Sequence, residues 1–147
     1  MPPGYCYLQA GLMYLLGDGP SLYLTVLILQ ALIGALGVIP IFLIAELLFG
    51  KRTAIISVIL SFTSPVFQLH TADYTSAPYY ILFTLSFIYL LLKLRNIYNK
   101  ISNESVVLYA GLAGLFYGLL IAFRGEALLL FPVFFLIIRE IRFKKKF

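Results

Sequence analysis

Charged residues punctuate long apolar runs along this chain. Residues 21–45 carry no charge, and neither do 53–69, 74–92, 105–123 or 127–138. Uncharged apolar runs of roughly 17–25 residues have the length of a membrane crossing. A membrane helix pairs its own backbone groups, so these runs predict helices and not lipid-exposed strands. The last run reaches spanning length only by continuing through 139–142, where Arg139 and Arg142 can snorkel to the interface. Pro40 falls inside the first run and predicts a kink there. Residues 5–16 form a shorter apolar stretch, ended by the turn sequence Gly17-Asp18-Gly19-Pro20. That stretch predicts an interfacial helix, with Tyr5, Tyr7 and Tyr14 at headgroup depth. It lacks the basic start and cleavage site of a signal peptide. The expected fold is all-α: a polytopic transmembrane helical bundle of about five spans with a short N-terminal interfacial helix. Residues 1–147 read as one transmembrane region, with 1–20 as the outer segment and 21–147 as the spans.

Composition agrees. Of 147 residues, 62% are hydrophobic and 12% charged, with mean hydropathy +1.00. A soluble domain has about 45–50% apolar and roughly 25% charged residues. Disorder is excluded by the same numbers. The net charge of +5 on so apolar a chain points to anionic lipid, not to nucleic acid. A single cysteine, Cys6, gives no disulfide framework.

The distribution of charge adds orientation. Lys51 and Arg52 separate the first two runs, and Lys93, Arg95 and Lys100 separate the third and fourth. Arg139, Arg142, Lys144, Lys145 and Lys146 follow the fifth. Five alternating spans place all of these on one side, which the positive-inside rule makes cytoplasmic. The N-terminus is then outside and the C-terminus cytoplasmic, in a multi-pass membrane protein. Arg124 is the one basic residue left on the outer side.

Polar groups that an apolar chain retains at membrane depth mark candidate sites. The outer side holds two clusters, His70-Thr71-Ala72-Asp73-Tyr74 and Arg124-Gly125-Glu126. Arg124 opposes the topology bias and suits a phosphate, which a guanidinium can grip with two parallel hydrogen bonds. A local ion pair with Glu126 or Asp73 would also account for it, and the residues alone leave both readings open. Glu126 opens the next helix, where a carboxylate complements the helix dipole. His70 and Asp73 have acid–base and metal-ligand chemistry, but two groups fall short of the three or four a metal site needs. Ala110, Gly114 and Gly118 form a small-residue face, the pattern of close helix packing within the chain or of a dimer contact. Asn103-Glu104-Ser105 matches a glycosylation sequon, but it falls on the predicted cytoplasmic side, so Asn103 reads as a helix N-cap.

The order of segments resembles a known family. It begins with Pro2-Pro3-Gly4-Tyr5, an apolar stretch and Gly17-Asp18, then Leu29-Gln30-Ala31-Leu32-Ile33-Gly34-Ala35-Leu36. Leu47-Leu48-Phe49-Gly50-Lys51-Arg52 ends the first span, Ser64-Pro65 lies late in the second, and Phe123-Arg124-Gly125-Glu126-Ala127-Leu128 opens the fifth. The series is similar to GT-C glycosyltransferases of the dolichyl-phosphate-mannose protein mannosyltransferase type (glycosyltransferase family 39-like), over nearly the whole chain. Two steps depart from that pattern. Gly125 stands where the family often has proline, and Ala77-Pro78 where it has an acidic residue before proline, with Asp73 one turn earlier as a substitute.

The resemblance implies sugar transfer from a polyprenyl-phosphate donor to a lipid, glycan or protein acceptor at the outer face, with membrane lipids as the surroundings and no nucleic acid. It implies direct displacement with inversion, with an acidic general base upstream of Met1 and, in some relatives, a divalent metal held by the upstream acids. Residues 1–147 then read as an internal piece of a larger hexosyltransferase, inactive alone. Within them the resemblance makes Arg124 a phosphate ligand, His70, Asp73 and Glu126 contacts to sugar hydroxyls or ordering groups, and Tyr5 a stacking face. A transporter or flippase subunit is the alternative, but Pro40 has no mirrored break in a second half, as inverted repeats require. A small non-enzymatic protein assembling through the Ala110-Gly114-Gly118 face is the third reading.

Overall fold

The structure is a computed structural model and describes residues 3–65, 68, 75–97, 103–130 and 132. Among these, every regular element is helical. The helices are α1 (Pro3–Leu16), α2 (Pro20–Leu36), α3 (Val38–Phe49), α4 (Lys51–Thr63), α5 (Ala77–Ile97) and α6 (Asn103–Phe123), followed by a 3₁₀ turn, Gly125–Leu130. Among the described residues, three stretches are long and apolar enough to cross a membrane: Pro20–Phe49, Ala77–Asn96 and Val106–Phe123. They fall on the first, third and fourth apolar runs. The chain is an all-α membrane bundle.

Glycine and proline set the breaks. Gly17 adopts φ 75, a left-handed conformation open to glycine, and its N–H donates to Met13 O at 2.9 Å. That closes α1 at the turn expected from Gly17-Asp18-Gly19-Pro20. Gly50 has φ 89 and ψ 170, and its N–H donates to Glu46 O at 3.0 Å, so the chain reverses between α3 and α4. Pro40 has no N–H for the carbonyl of Leu36, and the helix is interrupted at Gly37, one turn before the proline.

The second apolar run departs from expectation. Its described helix ends at Thr63, because Ser64 is extended (φ −69, ψ 118) ahead of Pro65. A residue before proline is pushed out of the helical region by the ring. Its hydroxyls are satisfied internally. Ser57 and Ser61 donate to the carbonyls four residues back at 2.9 and 2.8 Å, as does Thr63 to Ile59 O at 3.0 Å. The fifth run opens as the 3₁₀ turn and otherwise lies outside the described residues, apart from residue 132.

The tightest packing lies between α5 and α6, where Phe87, Leu90, Leu91 and Ala113 are buried against Tyr89, Tyr109, Phe116 and Tyr117. Ala110, Gly114 and Gly118 make no close helix contact among the described residues. All three are exposed, and a Cβ added at Gly114 or Gly118 would meet nothing within 4 Å. α6 turns its Ala113 and Phe116 side to α5, so the small-residue face points away from the described chain. Large apolar side chains such as Leu24, Leu60 and Leu115 are likewise exposed. That surface suits a lipid solvent, in which apolar contact with the surroundings costs nothing.

Candidate functional site

The candidate site forms where α1, α2, α5 and α6 meet. α1 comes close to α6 because residue 4 is glycine: a Cβ there would lie 2.8 Å from Ala122 O and 2.9 Å from Ala122 C. This contact drives Tyr5 into the bundle, where it is 2% exposed. Its hydroxyl accepts a hydrogen bond from Gln30 Nε2 at 2.8 Å. Gln30 Nε2 also donates to Thr75 O, just before α5. Four rings then form a series. Tyr5 and Tyr79 lie 5.9 Å apart at 60°, and Tyr79 stacks on Phe123 at 5.1 Å and 10°. Phe83 meets Phe123 from the other side at 5.4 Å.

This joins the starts of α1 and α5 to the end of α6 at the level of Gln30. Gln30 lies about 15 Å along α2 from Pro20, at 1.5 Å rise per residue. Residues 30–49, α5 and α6 are each about 30 Å long, the thickness of a hydrocarbon core.

Arg124 is at the edge of this ring cluster. Its N–H still follows the helix, donating to Leu120 O at 2.8 Å, while its carbonyl accepts from Ala127 N at 3.0 Å and starts the 3₁₀ turn. Tyr117 Oη donates to Ala127 O at 3.3 Å and ties that turn to α6. The guanidinium carbon sits 5.0 Å from the centroid of the Tyr80 ring. Such a cation–π contact orients a guanidinium without neutralising it. Nη1 lies 3.8 Å from Glu126 Oε2, with the side chains 43% and 75% exposed. A solvent-facing pair at that distance contributes at most about 1 kcal/mol. The guanidinium is therefore oriented by Tyr80, weakly paired, and open to an anion.

Of the five candidate side chains, the structure pairs Arg124 with Glu126 and places Tyr5 in the ring series that ends at Phe123, the residue before Arg124. Tyr5 is a buried wall and not an open stacking face, because the Gly4–Ala122 approach and its bond from Gln30 draw it inside. His70 and Asp73 lie outside the described residues, so the alternative pairing of Arg124 with Asp73 does too. The same holds for the side chain of Asn103, although α6 does begin there. Among the described residues no three His, Cys, Asp or Glu side chains gather as a metal site would require. Gln30, Thr75, Tyr79 and Tyr80 complete the site and went unassigned in the sequence. Of these, Gln30 carried a signal, an amide in an uncharged membrane run.

No curated protein and no solved structure matches the chain. The family model of dolichyl-phosphate-mannose-protein mannosyltransferase matches residues 1–147. An apolar helical bundle bearing one open guanidinium at its end is consistent with that match. Matched along its full length, the chain belongs to the dolichyl-phosphate-mannose-protein mannosyltransferase family, membrane glycosyltransferases of the GT-C type.

Proposed function

We propose that Arg124 contacts the phosphate of a polyprenyl-phosphate sugar donor at the outer face of the membrane. The observation that carries this reading is the Arg124 guanidinium, seated on Tyr80 and held only loosely by Glu126. Transfer of the sugar to a lipid, glycan or protein hydroxyl leaves a lipid phosphate. The developing charge on that leaving group is lowered in energy by a fixed cation already in place. A guanidinium suits this role because it can hold two phosphate oxygens at once. Inversion at the sugar carbon requires a carboxylate to take the acceptor proton. None of the residues assigned here serves as that base, so donor binding, not transfer, is the activity expected of residues 1–147.

Orientation rests on the helix ends. Lys51, Arg52 and Arg95 sit at the opposite end of α3, α4 and α5 from Arg124. With the positive-inside rule this supports a reading in which the N-terminus and Arg124 face outward, and the basic run Lys144–Lys146 assigns the C-terminus to the cytoplasm on the same rule. His70 and Asp73, which precede Thr75 in the chain, are assigned with Glu126 to the sugar hydroxyls or to ordering the loops.

The test is titration of farnesyl phosphate into the chain in lipid nanodiscs, followed by ³¹P resonance. Binding should be saturable. Tyr80→Leu should weaken it about two- to fivefold, by removing the face that orients the guanidinium. Glu126→Gln should strengthen it by up to about fivefold, because the competing carboxylate is gone. If Arg124 merely staples the turn, neither variant will change the phosphate signal.

A further inference from the structure

We infer that Gln30 is a positioning residue for Arg124, acting through two routes that converge on its guanidinium. The inference rests on the donor-phosphate reading of Arg124.

The Gln30 side chain is fully buried. An amide nitrogen has two hydrogens, and here both are used, one on Tyr5 Oη and one on Thr75 O. The amide oxygen is buried and accepts no hydrogen bond among the described residues. Burying an unsatisfied acceptor is unfavourable, and an apolar side chain of similar size would avoid that cost. What the amide supplies in return is a tie between three elements: α1 through Tyr5, α2 through itself, and the entry to α5 through Thr75.

Each tie leads to Arg124. Thr75 sets the start of α5, and the early turns of α5 carry Tyr79 and Tyr80. Tyr80 is the ring beneath the guanidinium. Tyr5 presses on Tyr79, Tyr79 stacks on Phe123, and Phe123 is the residue before Arg124. One route therefore places the ring under the cation, and the other places the backbone that carries it. Gln30 touches neither the cation nor the space in front of it.

A double-mutant cycle on the 147-residue chain tests this, with farnesyl phosphate in nanodiscs as the probe. Gln30→Met keeps the unbranched shape and removes the donor. It should weaken binding about fivefold, the scale of a lost buried hydrogen bond within a membrane. Arg124→Ala alone should weaken it further. The double variant should bind no worse than Arg124→Ala, because a residue that works through Arg124 has nothing left to position. Tyr5→Phe removes one hydroxyl and keeps the ring, so it should show the same non-additivity on a smaller scale if Gln30→Met does not fold. Additive losses, or unchanged binding in both Gln30→Met and Tyr5→Phe, would overturn the inference while leaving the Arg124 effect standing. Unchanged binding in Arg124→Ala would instead remove the donor-phosphate reading and this inference with it.

Discussion

Arg124→Lys is expected to weaken farnesyl phosphate binding about tenfold, and Arg124→Ala by as much as about a hundredfold. Lysine keeps the charge, so a tenfold loss in Arg124→Lys isolates what the guanidinium adds. It offers two parallel donors to two phosphate oxygens, and a flat face that rests on Tyr80. An ammonium is a point charge on a flexible stem and reproduces neither feature. Titration of both variants beside the wild-type chain, at one fixed salt concentration, gives the comparison. If lysine and arginine bind the probe equally, the site reads charge alone, and the bidentate contact is wrong.

The second large effect is on folding. Gly4→Ala should destabilise the chain by about 1–3 kcal/mol, while Gly11→Ala should leave it unchanged or slightly stabilised. The two changes are chemically identical and lie on one helix. At Gly4 the new methyl would meet backbone atoms of Ala122 at 2.8 and 2.9 Å, and backbone cannot rotate out of the way. At Gly11 it would meet nothing within 4 Å. Relieving the clash lifts the start of α1 off α6 and carries Tyr5 away from Gln30 and Tyr79. Gly4→Ala should therefore also weaken phosphate binding. Thermal unfolding midpoints in detergent should fall by several degrees for Gly4→Ala only. Equal midpoints for the two variants would mean that α1 is not held against α6.

The helical membrane class was legible because it follows from a one-dimensional signal. Charges were confined to the breaks, and the first, third and fourth uncharged runs became helices within a few residues of their expected limits. The turn at Gly17 was legible too, since its residue type states its conformation. The end of α4 was carried by Ser64-Pro65, yet an unbroken apolar run there concealed it. The direction of the small-residue face was not legible. Spacing shows that Ala110, Gly114 and Gly118 share a side of α6, but not that Ala113 and Phe116 win the contact with α5.

The candidate site divides the same way. Arg124 stood out because it is a lone cation against a topology bias, a property of the sequence. Its setting did not, because Tyr80, Tyr79 and Gln30 are far from it in sequence and unremarkable among 11 tyrosines and a run of apolar residues. The place of Tyr5 in a short apolar stretch points to an interfacial ring. Its burial depends on the close approach at Gly4, which only the assembled helices reveal.

Donor docking at Arg124 from the outer face, as proposed, has a direct chemical signature. Labelling of a Glu126→Cys variant in a Cys6→Ser background, in intact cells with a membrane-impermeant maleimide, tests it most directly. Residue 126 is exposed beside the guanidinium. Residue 126 should label without permeabilisation, and farnesyl phosphate should protect it. Labelling only after permeabilisation, or labelling that farnesyl phosphate leaves unchanged, would contradict it.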